Sequence, residues 1–304
     1  MQGGCKRDEN IPYISTASIS SITINAAVSG GEIKSDGGGN VTAKGVCWSS
    51  HQNPTIADSK TNDGEGTETF NSSITGLNPN TTYYLRAYAT NSTGTGYGEQ
   101  YLFCTLLDSS IIVTDLDGNI YHTVTIGTQI WMMENLQVTR FRNGDTIPDV
   151  TDYTWGSLTT PAYCNYDNNA NIAAIYGRLY NWYAVNDSRN ICPEGWHVPS
   201  LAEWNTLIDY VGGKNIAGCR LKEAGNTHWM EDDGDATNVC GFTALPGGWR
   251  HENGNCFYFR IHGYWWTSTT GDVYAKWVGM DGTCATSTCG TSKALGFSVR
   301  CVKD

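Results

Sequence analysis

"ICPEGWHVPSLAEW", residues 191–204, decides how the second half of this chain folds. A cysteine, a histidine and a glutamate stand close together in it, as a nucleophile and its helpers would. The local pattern gives them other work. Ser200 and Glu203 form an S-x-x-E capping box, in which the serine side chain takes the N3 amide and the glutamate reaches back to the N-cap amide. Leu201, Trp204, Leu207, Ile208 and Val211 then recur on one helical face, and Gly212 ends the run. Glu203 is thereby occupied at a helix start, where its charge also complements the helix dipole. Prolines flanking "EGWHV" hold an extended approach and send Trp196 toward a core.

Composition narrows the function classes. The chain has 304 residues and a formal charge of −11, with 19 basic against 30 acidic residues. That thin basic content excludes a nucleic-acid partner, which needs clustered Lys and Arg. No apolar run reaches the roughly 18 residues of a membrane helix. The eleven cysteines show no C-x-x-C and no paired histidines, so disulfides in an oxidising compartment account for them better than zinc. Cys5, in "GGCKRDEN", resembles a bacterial lipoprotein acylation site, and the charged residues after it resemble the surface-export signal of Bacteroidetes lipoproteins. Membrane contact would then be through a lipid anchor alone, and ten cysteines, an even number, would remain.

Along the chain, residues 1–16 read as a tether. Residues 17–105 alternate in short strands such as "VTAKGVCW" and "TYYLRAYAT", which implies a β-sandwich. There "LNPNTTYYLRAYATNSTGTGYG" (77–98) resembles a fibronectin type III module, with Leu77, Pro79, Thr81 and Tyr83 at its tyrosine corner. "LLDSS" (106–110) is a joint, since ten of the eleven tryptophans follow residue 110. In the second domain, 111–304, Asp117-Gly118 predicts a type I′ hairpin turn. A first helix is predicted over 177–186 and a second after Ser200, with little sign of helix after Gly213.

"WMMENLQVTRFRNGD", "YGRLYNWYAVN", "ICPEGWHVPSLAEWNTL", "LKEAGNTHW", "GFTALPGGWR", "YWWTST" and "GFSVRCVKD" together resemble the Fibrobacter major paralogous (FISUMP) domain, from about 111 to 304. That family is similar to the C-type-lectin-like superfamily, which implies an α+β domain with two helices and long loops behind the fibronectin-like sandwich. The resemblance implies a disulfide between Cys192 and Cys301, with His197 as a satisfied hydrogen bonder. It also implies a ligand-facing surface near 265–295, for which Arg250, His251, Tyr258, Tyr274, Lys276, Trp277 and Asp281 are candidates; Trp265 and Trp266 belong to the core.

Two other chemistries are open in the sequence. Cys284 and Cys289 stand at the C-x4-C spacing that formylglycine-generating enzymes use to hold copper, or they staple a hairpin as a disulfide. Asp232, Asp233, Asp235 and Asn238 could supply oxygen ligands to Ca²⁺. The expected function is a non-catalytic lipoprotein on the outer-membrane surface that recognises a glycan or a surface protein. The alternatives are an accessory subunit of a cell-surface assembly and a cysteine oxidase.

Overall fold

A computed structural model describes residues 10–106, 112–230 and 236–304. The chain divides into two compact units, Met1–Asp108 and Ser109–Asp304.

The first unit is a sandwich of two antiparallel sheets. Tyr13–Thr16, Ala26–Ser35 and Phe70–Thr75 form one, in that order. The other is built around Thr82–Thr90, which pairs with Ala43–Ser49 on one side and with Thr95–Tyr97 and Tyr101–Cys104 on the other. Ala27 and Ile74 from the first sheet meet Val46, Leu85 and Phe103 from the second, which closes the core. The tyrosine corner is present: the Tyr83 hydroxyl accepts the Asn78 N–H at 3.0 Å. This fixes the crossover that delivers the chain into Thr82–Thr90.

In the second unit, an antiparallel five-stranded sheet runs Trp196–His197, Val302–Lys303, Gln129–Met132, Ile120–Ile126, Ile112–Thr114. A separate three-stranded sheet is formed by Gly263–Thr270, Tyr274–Met280 and Thr286–Ser292. The helix Leu201–Tyr210 lies against both. Its Trp204 ring meets Trp131 of the first sheet at 4.9 Å and Trp265 of the second at 6.0 Å. The capping box is formed in full, and Gly212 and Gly213 end the helix at positive φ, where glycine carries no Cβ penalty. Cys192 and Cys301 are bonded, with Cα atoms 6.1 Å apart.

The structure corrects several expectations. The stretch 177–186 is not one helix: Leu179–Tyr180 is a strand paired with Tyr163–Cys164, and only Trp182–Val185 is helical. Two further helices, Ala170–Tyr176 and Ala217–Leu221, give four among the described residues rather than two. The turn at Asp117-Gly118 is not type I′, since Asp117 keeps an ordinary φ and Gly118 alone is at +84°. Asp115 Oδ1 instead accepts the N–H groups of Asp117 and Asn119, so the side chain closes the loop. Cys284 is bonded to Cys219, not to Cys289, which is an exposed thiol. Cys47, Cys104, Cys164 and Cys256 are free thiols as well, against the expectation of full pairing, and the Cys240 thiol donates to the Arg220 carbonyl at 3.3 Å. Cys5 lies outside the described residues.

Candidate functional site

The residues of the opening motif have structural occupations. His197 is held between two carboxylates, with Nδ1 2.7 Å from Asp304 Oδ1 and Nε2 2.8 Å from Glu203 Oε1. Glu203 Oε2 meanwhile takes the Ser200 N–H and hydroxyl. Burial pulls the His197 pKa down, but hydrogen bonds to Asp304 and Glu203 and their charges outweigh it and raise the net value. Burial likewise pushes Glu203 up, and the Ser200 and His197 contacts reverse it to a net lowering.

The signs set a pH window. A raised histidine contributes stability that is complete below its ordinary 6.5 and is lost as pH rises through the folded value. A lowered glutamate contributes above 4.5 and loses it as pH falls. The His197→Gln variant is therefore expected to melt below the parent by about 2 °C near pH 5.5, in keeping with a partly exposed pair, and to converge with it near pH 9. Thermal melts at the two pH values check this.

Arg250 is buried, 1% exposed, and is not a surface ligand contact. Its guanidinium lies over Trp155 at 4.9 Å and donates to Asn168 Oδ1 and the Asp152 carbonyl. Asp281 turns back on its own loop, accepting the Thr283 N–H and hydroxyl. Burial pushes the Asp281 pKa up, and these bonds bring it down overall. Strand alternation separates the others: Tyr274 and Lys276 project from one face of the three-stranded sheet and Trp277 from the other. Asn238 is engaged locally with Thr243, and Asp232, Asp233 and Asp235 lie outside the described residues. Among the described residues no cluster of three or more His, Cys, Asp or Glu side chains could hold a metal. No described helix is long and apolar enough to cross a membrane.

What the structure does assemble is a strip of rings, of which only His251, Tyr258 and Trp277 were anticipated. Tyr258 stacks on His262 at 4.5 Å and 6°, and His262 Nδ1 lies 2.7 Å from the Tyr264 hydroxyl. Tyr264 meets Trp277 at 5.2 Å and Phe297 at 5.3 Å. Phe297 continues to Trp249, which contacts both His251 and Phe257. A recess of about 170 Å³ opens among Trp249, Tyr264, Trp277, Thr291, Leu295 and Phe297, with no charged side chain among the described residues that line it. Gly279 makes room for it: a Cβ there would stand 2.7 Å from the Trp277 ring and 3.2 Å from Tyr264. Phe257 and Tyr258 are exposed at its margin. Tyr258 also holds φ at +61°, an uncommon backbone state for a non-glycine residue. The one signal of this site in the sequence is the crowding of aromatics between Trp249 and Trp277.

Among solved structures, the chain is similar to the sensor domain of the anti-sigma factor RsgI4 of Pseudobacteroides cellulosolvens, at 19% identity over 32% of this chain and 96% of that one, with a TM-score of 0.25. It is similar also to the third fibronectin III domain of human KIAA0343 protein, at 18% identity over 35% of this chain and 90% of that one, with a TM-score of 0.24. No curated protein matches. Residues 124–303, more than half of the chain and the whole of the aromatic strip, match the family model of the Fibrobacter succinogenes major domain, and the chain belongs to that family.

Proposed function

We propose that this chain is a non-catalytic recognition protein of the cell surface, whose second unit is C-type-lectin-like and offers its aromatic strip to a neutral glycan. The observation that carries this reading is the uncharged recess lined by Trp249, Tyr264, Trp277 and Phe297, extended by exposed Phe257 and Tyr258. The C–H face of a pyranose ring is apolar and stacks on an aromatic face, while its hydroxyls need donors and acceptors at the rim. The Trp249 and Trp277 indole N–H groups, in hydrogen bonds with none of the described residues, and the Thr291 hydroxyl can provide them. An acidic sugar would find no cation in the lining. Two disulfides favour an oxidising, extracellular compartment. Acylation of Cys5 would tether the chain to the outer membrane, with the fibronectin-like sandwich as a spacer.

A neutral-oligosaccharide array followed by titration calorimetry tests the reading. Saturable binding is expected, weakened about tenfold in Trp277→Ala, the 1.4 kcal/mol that one lost ring contact can cost. Tyr258→Ala, at an exposed ring, is expected to weaken it in the same direction without loss of fold. Binding untouched by either change, or none to any neutral glycan, contradicts the proposal.

A further inference from the structure

Cys164 and Cys256 come from segments far apart in sequence and meet in one small core. Cys164, fully buried on the strand Tyr163–Cys164, belongs to the cluster of Trp155, Ala162, Tyr166 and Leu179, and the partly exposed Cys256 packs against that same cluster. The Cys256 sulfur accepts the N–H of Asp167, three residues beyond Cys164, at 3.4 Å. Arg250 faces both. It is the cross-strand partner of Cys256, and its Nε is buried with no hydrogen-bond acceptor among the described residues. Burial pushes Cys164 up to about 12 and also raises Cys256, and the Arg250 charge opposes this at each sulfur. Nothing in the proposed glycan recognition uses either thiol.

We propose that Cys164 and Cys256 close to a third disulfide of this unit when the chain meets a disulfide oxidant. The partly exposed Cys256 is the point of entry: its thiolate attacks the oxidant's S–S bond, forming a mixed disulfide and releasing one thiol. The buried Cys164 thiolate then displaces the second thiol, with Arg250 beside it to favour the charged form. In sum the protein loses two S–H bonds and gains one S–S bond, and the oxidant's S–S bond becomes two S–H bonds. The consequence falls on the aromatic strip. Cys256 sits in the hairpin of Trp249–Arg250 and Cys256–Phe257, so the bond staples the carrier of Trp249, His251, Phe257 and Tyr258 to the strand at Cys164.

The full chain incubated with oxidised glutathione, then alkylated while denatured and mapped without reduction, tests this directly. A linked pair of peptides carrying Cys164 and Cys256, with neither alkylated, is expected. Alkylation of both, or a bond from either to another cysteine, overturns the proposal. Amide exchange over residues 249–258 is also expected to be about tenfold slower in the oxidised parent than in Cys164→Ser, as a closed staple removes local opening. Equal exchange in the two overturns the staple.

Discussion

Replacing Cys192 and Cys301 together by serine is expected to lower the stability of the second unit by about 4–5 kcal/mol in the chain-entropy model of a cross-link. The two cysteines are 109 positions apart, and the bond removes that large loop from the unfolded ensemble. Against a usual total of about 5–15 kcal/mol, the loss takes away a large share of the fold. Cys301 also belongs to the sheet itself, since its carbonyl accepts the Met132 N–H at 3.1 Å. The bond thus anchors the segment entering the capped helix to the edge of the strand Gln129–Met132. Urea unfolding of parent and double variant measures the effect, and a difference under about 1 kcal/mol would contradict the role given to this cross-link.

Asn135→Ala is expected to be nearly as damaging, at about 3–5 kcal/mol, because it strips the acceptor from a buried charge. Arg300 is wholly buried and finds no carboxylate among its hydrogen-bond acceptors in the described residues. Its Nε and one terminal nitrogen donate to Asn135 Oδ1 at 3.2 and 2.9 Å, and its other donors reach the Phe242 and Thr243 carbonyls. The same Asn135 oxygen takes the Trp265 indole N–H at 2.8 Å, while Asn135 Nδ2 donates to the Tyr176 carbonyl. Ring faces complete the shell, with Phe242 at 4.4 Å and Trp265 at 5.9 Å. Burial draws the Arg300 pKa down to about 9, opposed by the charge of Glu134, and this still leaves it protonated at neutral pH. Gly177 lets the site close, since at φ +79° its missing Cβ would fall 2.5 Å from the Asn135 side chain. Thermal unfolding checks the prediction, with the exposed Tyr258→Ala as a control expected within about 0.5 kcal/mol of the parent.

The legible parts of the fold were those set by short-range chemistry. Ser200 and Glu203 needed only a spacing of three to specify a helix start, and Tyr83 only its neighbours to specify a corner. The bond between Cys192 and Cys301 was legible through family resemblance rather than through the residues alone. Where distant pairing decides the outcome, local reading failed. Leu179–Tyr180 looks helical by composition, yet its backbone is claimed by Tyr163–Cys164 and by Phe297. Cys284 has a near neighbour in Cys289, but Gly218 donates its N–H to the Cys284 carbonyl and so brings Cys219 to it instead. Arg250 reads as a surface residue because arginine is seldom buried, and only the fold reveals the oxygens and the Trp155 face that accommodate it. The recess was partly hidden for the same reason: Trp249, Tyr264 and Phe297 come from three separate segments, and of its lining only Trp277 was anticipated, through the family resemblance.

The central claim, that the strip from Trp249 to Tyr258 is where this protein meets its ligand, is tested most directly by the indole N–H resonances in a titration with a neutral oligosaccharide. The Trp249 and Trp277 signals are expected to shift and saturate together, while those of buried Trp131, Trp204, Trp265 and Trp266 stay in place. Saturation that leaves Trp249 and Trp277 unmoved, or no shift at any indole, would contradict it.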